Sequence, residues 1–72
     1  MNEAMIKEAL EGEFPGANID VQLDGSHCQV TVTSDVFEGL RPVARQQRVY
    51  APLGDFIRSG ALHAVNIIAN IP

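Results

Sequence analysis

Two segments of alternating apolar and polar residues flank the dipeptide Asp24-Gly25. Alternation with a period of two is typical of a strand with one buried face, and Asp-Gly between two such segments is a strong hairpin signal. The pattern therefore predicts two antiparallel strands joined by a tight turn. In the second strand it points Cys28 toward the core and His27 toward the outside or the loop. The apolar positions on the core side are Ile19, Val21, Leu23, Cys28, Val30 and Val32.

Helical patterns lie on both sides of this hairpin. Asn2 can cap a first helix, whose apolar residues recur at helical spacing until Gly12 ends the pattern. After the hairpin, Ser34-Asp35 can cap a short turn, and Pro42 suits the first turn of a longer helix. Pro52 lies inside that helix and should kink it, because proline removes a backbone donor. The apolar stripe of this helix consists of Val49, Leu53, Phe56 and Ile57, and Tyr50, at its edge, is expected to pack in the core as well.

A third alternating segment, residues 65–71, follows Gly60 and predicts the last strand. A helical connection between two neighbouring strands favours a parallel, right-handed crossover. The 72 residues therefore predict one α+β domain spanning residues 1–72, with a three-stranded mixed sheet and its helices on one face.

The charge of the chain is unevenly divided. Its net charge is −4, yet residues 1–40 hold eight acidic residues and one lysine, whereas residues 41–72 hold four arginines and one aspartate. At about 100° per residue, three arginines fall within one narrow sector of the second helix: Arg41, Arg45 and Arg48. The usual interpretation is a solvated helix face, and the functional alternatives are a docking surface or a phosphate-binding stripe.

Other features limit the class of protein. Cys28 is the only cysteine, so it is a buried thiol, a ligand or a redox-reactive group. The sequence has no apolar run of membrane-spanning length and no signal-peptide pattern, so we expect no membrane association and a cytoplasmic location. His27 and Cys28, adjacent in a strand, would point to opposite faces, which argues against a catalytic Cys–His pair. Since no other catalytic motif is present, we expect no enzyme.

Four blocks of the sequence resemble the BolA family: D-G-S-H at 24–27, F-E-G-L at 37–40, V-A-R-Q-Q-R-V-Y-A-P-L at 43–53 and L-H-A-V at 62–65. The likeness runs from the first helix to the last strand. It implies a type II KH-like fold of order αββααβ, in agreement with the order predicted above. It also implies a function, because BolA-like proteins partner monothiol glutaredoxins and share a [2Fe-2S] cluster with them in iron–sulfur assembly and iron regulation. Some members are instead described as DNA-binding transcriptional regulators in stress and morphology.

The resemblance assigns cluster ligands to two positions. The family's histidine ahead of the last strand corresponds to His63, and the ligand in the hairpin loop corresponds to His27. Cys28 stands where many relatives carry an aromatic residue, so it is the alternative loop ligand. From the residues alone, the parity that His63 shares with Val65 favours a core histidine, and the inward parity of Cys28 favours a small buried residue. We favour His63 and His27.

Two histidines and one cysteine are too few to hold a [2Fe-2S] cluster, since four ligands are the norm. A partner must therefore supply the remaining ligands, and the resemblance implies that a glutaredoxin cysteine and glutathione do so. The chain alone should be a monomer or weak homodimer. The arginine sector could serve as a face for the glutaredoxin or for DNA. No G-x-x-G loop of nucleic-acid-binding KH domains is present, and the basic groups are few, so any DNA binding should be weak.

Overall fold

The computed structural model describes residues 2–72, which form three α-helices, three strands and two single 3₁₀ turns. None of the helices in this part of the chain has the length and apolar character needed to cross a bilayer. In chain order the elements are α1 (Glu3–Glu13), β1 (Asn18–Asp24), β2 (His27–Thr33), a 3₁₀ turn (Asp35–Phe37), α2 (Pro42–Tyr50), a second 3₁₀ turn (Ala51–Leu53), α3 (Gly54–Arg58) and β3 (Ala64–Asn70).

The three strands form one mixed sheet in the order β1-β2-β3. β1 and β2 pair antiparallel, whereas β2 and β3 pair parallel through the helical connection. This arrangement confirms the predicted α+β architecture with a mixed three-stranded sheet. The buried side chains of the strands share one face, which the helices cover, so the other face of the sheet is open.

Local signals explain where the helices begin and end. The side chain of Asn2 accepts a hydrogen bond from the Met5 backbone N–H at 3.0 Å, as expected for the cap of α1. The predicted stop at Gly12 is wrong, because α1 continues to Glu13 and thereby delivers Phe14 into the core. Pro52 does more than kink one helix: the backbone around it forms the 3₁₀ turn that separates α2 from α3.

The core lies between the covered face of the sheet and the helices. Its fully buried side chains are Ile6, Leu10, Phe14, Val30, Val32, Phe37, Val49, Leu53 and Leu62. Tyr50 was expected to belong to this core, and that expectation is wrong, because 49% of its surface is exposed. The reason is helical geometry: Val49 points into the core, so the next residue is turned about 100° away. Tyr50 instead lines a shallow groove with Ile67 beside β3.

Candidate functional site

The hairpin turn fixes the position of the first candidate ligand. The loop between β1 and β2 has only two residues, Gly25 and Ser26, and Gly25 adopts a φ of 61°, a conformation that favours glycine. This tight turn sets Asp24 directly opposite His27 in the ladder. His27 is exposed, as the alternation predicts, and lies on the open face of the sheet.

The second candidate ligand, His63, is tied to the same turn. Its backbone N–H donates to the Ser26 carbonyl oxygen at 2.9 Å, and the N–H of Ala64 reaches the same oxygen at 3.4 Å. The preceding residue, Leu62, is buried and anchors this segment to the core. The hairpin tip and the start of β3 are thereby joined by main-chain hydrogen bonds, which need no particular side chain at either histidine.

The two histidines lie at the same end of the sheet. His27 is the ladder neighbour of Ala64 in the parallel pair, so His63 is only one residue beyond the direct partner of His27. Both side chains are exposed. The interpretation of His63 as a core histidine is therefore wrong, and its parity argument fails because β3 begins at Ala64, after His63.

Cys28 lies next to His27 in the chain but on the other face of the sheet. It is 4% exposed and packs between its ladder partners Leu23 and Val65. Burial raises the pKa of the Cys28 thiol, and the negative charge of Glu3 raises it further. Since the thiolate is the form that binds metals, both effects weigh against Cys28 as the loop ligand.

An open cleft of about 440 Å³ lies beside the hairpin end. Its lining includes Asp24, His27, Gln29 and Asn66, and the small side chain of Ala64 adds no polar atom. Within residues 2–72, no group of three or more His, Cys, Asp or Glu side chains is arranged to hold a metal ion. If the two imidazoles bind a metal, they can therefore supply at most part of its ligand set.

The three arginines of the predicted sector do not form a uniform free surface. The Nε of Arg45 donates to the carbonyl oxygen of Leu40 at 2.9 Å, which ties the side chain to the start of its own helix. The guanidinium carbon of Arg48 lies 5.7 Å from the centre of the Phe14 ring, within the range of a cation–π contact. Arg41, the residue that precedes α2, is exposed and makes no side-chain capping bond there.

Comparison with known proteins places these features in a family. The family model described as "BolA-like protein" matches residues 7–72. The chain is 44% identical to the Acinetobacter guillouiae "uncharacterized protein in rpoN-murA intergenic region", over 96% of this chain and 83% of that protein. It is 36% identical to the "acid stress protein IbaG" of Escherichia coli K12, over the whole chain and 86% of that protein. Its fold matches BolA1 from Arabidopsis thaliana with a TM-score of 0.87 at 26% identity, over the whole chain and 94% of that structure.

Proposed function

The chain belongs to the BolA family, and we propose that it is a binding module that shares a [2Fe-2S] cluster with a monothiol glutaredoxin, with His27 and His63 as its ligands. The observation that carries this proposal is the pairing of two exposed imidazoles at one end of the sheet. Main-chain pairing holds both there: His27 lies in the β1–β2 ladder, and the His63 N–H donates to the Ser26 carbonyl oxygen.

The two histidines can supply half of the ligands that such a cluster needs. A [2Fe-2S] cluster takes four ligands, and two histidines on one iron with two sulfur ligands on the other is a known combination that raises the potential. A glutaredoxin cysteine and the thiol of glutathione would supply the two sulfur ligands. The cluster would contribute one-electron chemistry or would itself be the cargo that the two proteins pass on.

The roles of this chain's own residues follow from their positions. Leu62 and Ser26 hold the backbone of His63 in place, and the hairpin ladder holds His27. Neutral imidazole binds a metal, whereas protonated imidazole does not, so ligation by histidine is reversible near neutral pH. Such a site is suited to transfer or sensing rather than to permanent storage.

A mixing experiment tests the proposal. A [2Fe-2S] cluster is reconstituted on a monothiol glutaredoxin with glutathione, this protein is added, and visible circular dichroism and particle mass are followed. We expect a changed spectrum and a one-to-one complex. His27→Ala and His63→Ala should each abolish the spectral change, while Cys28→Ser and Arg41→Ala should retain it.

Two results would contradict the proposal. An unchanged spectrum with the intact protein would exclude a shared cluster, and a spectral change that persists with both histidine variants would exclude these ligands. The alternative function, DNA binding through Arg41, Arg45 and Arg48, would then gain weight. It has less support at present, because Arg45 and Arg48 already make contacts within the chain.

A further inference from the structure

Asp24 lies directly across the hairpin from His27. The two residues form the last pair of the β1–β2 ladder, and the loop between them has only two residues. Alternate residues of a strand share a face, and residues paired across a ladder share it too. Their Cβ atoms are therefore about 5 Å apart on the open face, and both side chains are exposed.

The other neighbours of His27 in the sheet provide no charged side chain. On its other side the ladder partner is Ala64, whose side chain has no polar atom. Gln29, two residues along the same strand, accepts a hydrogen bond from Asn66 Nδ2 at 3.3 Å. Asp24 is thus the one charged side chain directly paired with His27 in the sheet.

The nearby carboxylates differ in what they already bind. Glu3 accepts the backbone N–H of Leu23 at 2.8 Å, and Asp20 accepts Nε2 of Gln22 at 3.5 Å. Within residues 2–72, the carboxylate of Asp24 accepts no hydrogen bond and forms no salt bridge. Of these three carboxylates, that of Asp24 is the one left free to accept a hydrogen bond.

An imidazole that binds a metal through one nitrogen carries a proton on the other. That N–H is usually donated to a carboxylate or carbonyl oxygen, which fixes the tautomer, orients the ring and makes the ligand more basic. We propose that Asp24 is the positioning residue for His27 and accepts the ring N–H that is turned away from the bound metal. This inference rests on the proposed function for its consequence, although the Asp24–His27 pairing itself can be measured without a cluster.

His63 precedes β3 and has no ladder partner, so no carboxylate is paired with it across the sheet as Asp24 is paired with His27. Residues 59–72 contain no aspartate or glutamate. The imidazole of His63 lies beside Gly60, since a methyl group built on Gly60 would be 3.9 Å from its Nε2. The Ser26 carbonyl oxygen near this segment already accepts two backbone N–H groups. We therefore expect carboxylate support at His27 alone.

Three variants test this role: Asp24→Ala, Asp24→Asn and the control Asp20→Ala, which removes the same charge from the same strand and face. In the complex with a cluster-loaded glutaredoxin, Asp24→Ala should shorten the lifetime of the shared cluster about 10–100-fold. Asp24→Asn should recover part of this loss, because its amide oxygen still accepts a hydrogen bond. Asp20→Ala should match the unmodified protein, and equal lifetimes for the two alanine variants would overturn the inference.

The free protein provides a second readout. Long-range ¹H–¹⁵N spectra at about pH 8, where imidazole is neutral, report the tautomer of His27. Asp24→Ala should change the ratio of tautomers at His27 but not at His63, and Asp20→Ala should change neither. If the unmodified protein forms no shared cluster, the proposed function fails. The tautomer ratio at His27 then decides the role of Asp24, because a ratio that is unchanged in Asp24→Ala overturns the inference.

Discussion

The hairpin end and the arginine sector of α2 are both candidate interaction sites, but their side chains are used differently. At the hairpin end, the main chain makes the contacts that hold the structure, through the Ser26 carbonyl oxygen and the His63 N–H. His27 and His63 are left exposed. In the arginine sector, two of three side chains make such contacts themselves: Arg45 binds the Leu40 carbonyl oxygen and Arg48 covers Phe14.

The difference shows why the number of functional-looking side chains is a poor guide to function. A side chain that donates to a backbone carbonyl oxygen or packs on an aromatic ring is held in position within the chain, and moving it to reach a partner costs that contact. A side chain held only through its backbone is available at no such cost. By this measure the hairpin end is the stronger candidate, and the following variants test the contrast from its largest expected effect to its smallest.

Cys28→Ser tests whether the residue beside His27 is structural. A hydroxyl buried without a partner costs about 1–3 kcal/mol, so urea unfolding should show a loss of stability in that range. The thiol itself should react slowly with iodoacetamide at pH 7, because burial shields it and raises its pKa. A Cys28 that is alkylated as fast in the folded protein as in urea would return it to the list of candidate ligands.

Gly25→Ala tests whether the turn sets the site. A φ of 61° is strained for alanine, although no atom crowds the position, so the variant should lose about 1–2 kcal/mol of stability. Gly12→Ala is the matched control: it lies within α1 with no atom near the added methyl group. It should be neutral or stabilise by up to about 1 kcal/mol. Equal effects of the two variants would argue against the turn as a constraint.

A double-mutant cycle between Arg48 and Phe14 tests the structural role of the arginine sector. We expect a coupling free energy of about 0.5–1 kcal/mol from Arg48→Ala and Phe14→Leu, because the guanidinium group lies over the ring. Arg41→Ala, the control, should change stability by less than about 0.5 kcal/mol. A coupling indistinguishable from zero would mean that Arg48 is as free to bind partners as the histidines.

The salt dependence of DNA binding gives the smallest expected effect. With three arginines available at most, the slope of log K against log salt should be no steeper than about −3. Arg41→Ala should make the slope shallower by about 1, because it removes one exposed phosphate contact. A steep slope, or sequence-dependent binding at physiological salt, would reverse the ranking of the two regions.

Much of the fold could be predicted because its signals are local. The alternation around Asp24-Gly25 gave the hairpin and the burial of Cys28, and Pro52 marked the break between α2 and α3. The end of α1 was misjudged because burial of Phe14 outweighed the helix-breaking tendency of Gly12. Tyr50 is exposed because it is turned about 100° away from Val49, which points into the core, and its place at the edge of the stripe did not decide between the two sides.

The site could be predicted only in part. Its residues came from a family resemblance, while its construction depends on contacts between distant segments. The bond between His63 and Ser26 joins residues 37 positions apart, and no periodicity in the sequence signals it. The packing of Arg48 on Phe14 likewise joins distant residues and has no signal in the sequence. The three arginines therefore look equivalent in the helical projection but differ in their contacts in the fold.

Pulsed EPR of the shared cluster tests most directly whether this chain supplies imidazole ligands. The complex is assembled with unlabelled glutaredoxin and with this protein labelled with ¹⁵N only at histidine, and the cluster is then reduced. We expect nitrogen hyperfine couplings that change from ¹⁴N to ¹⁵N values with the label and that are absent in His27→Ala and His63→Ala. A stable complex whose couplings do not respond to the label would contradict ligation by these histidines.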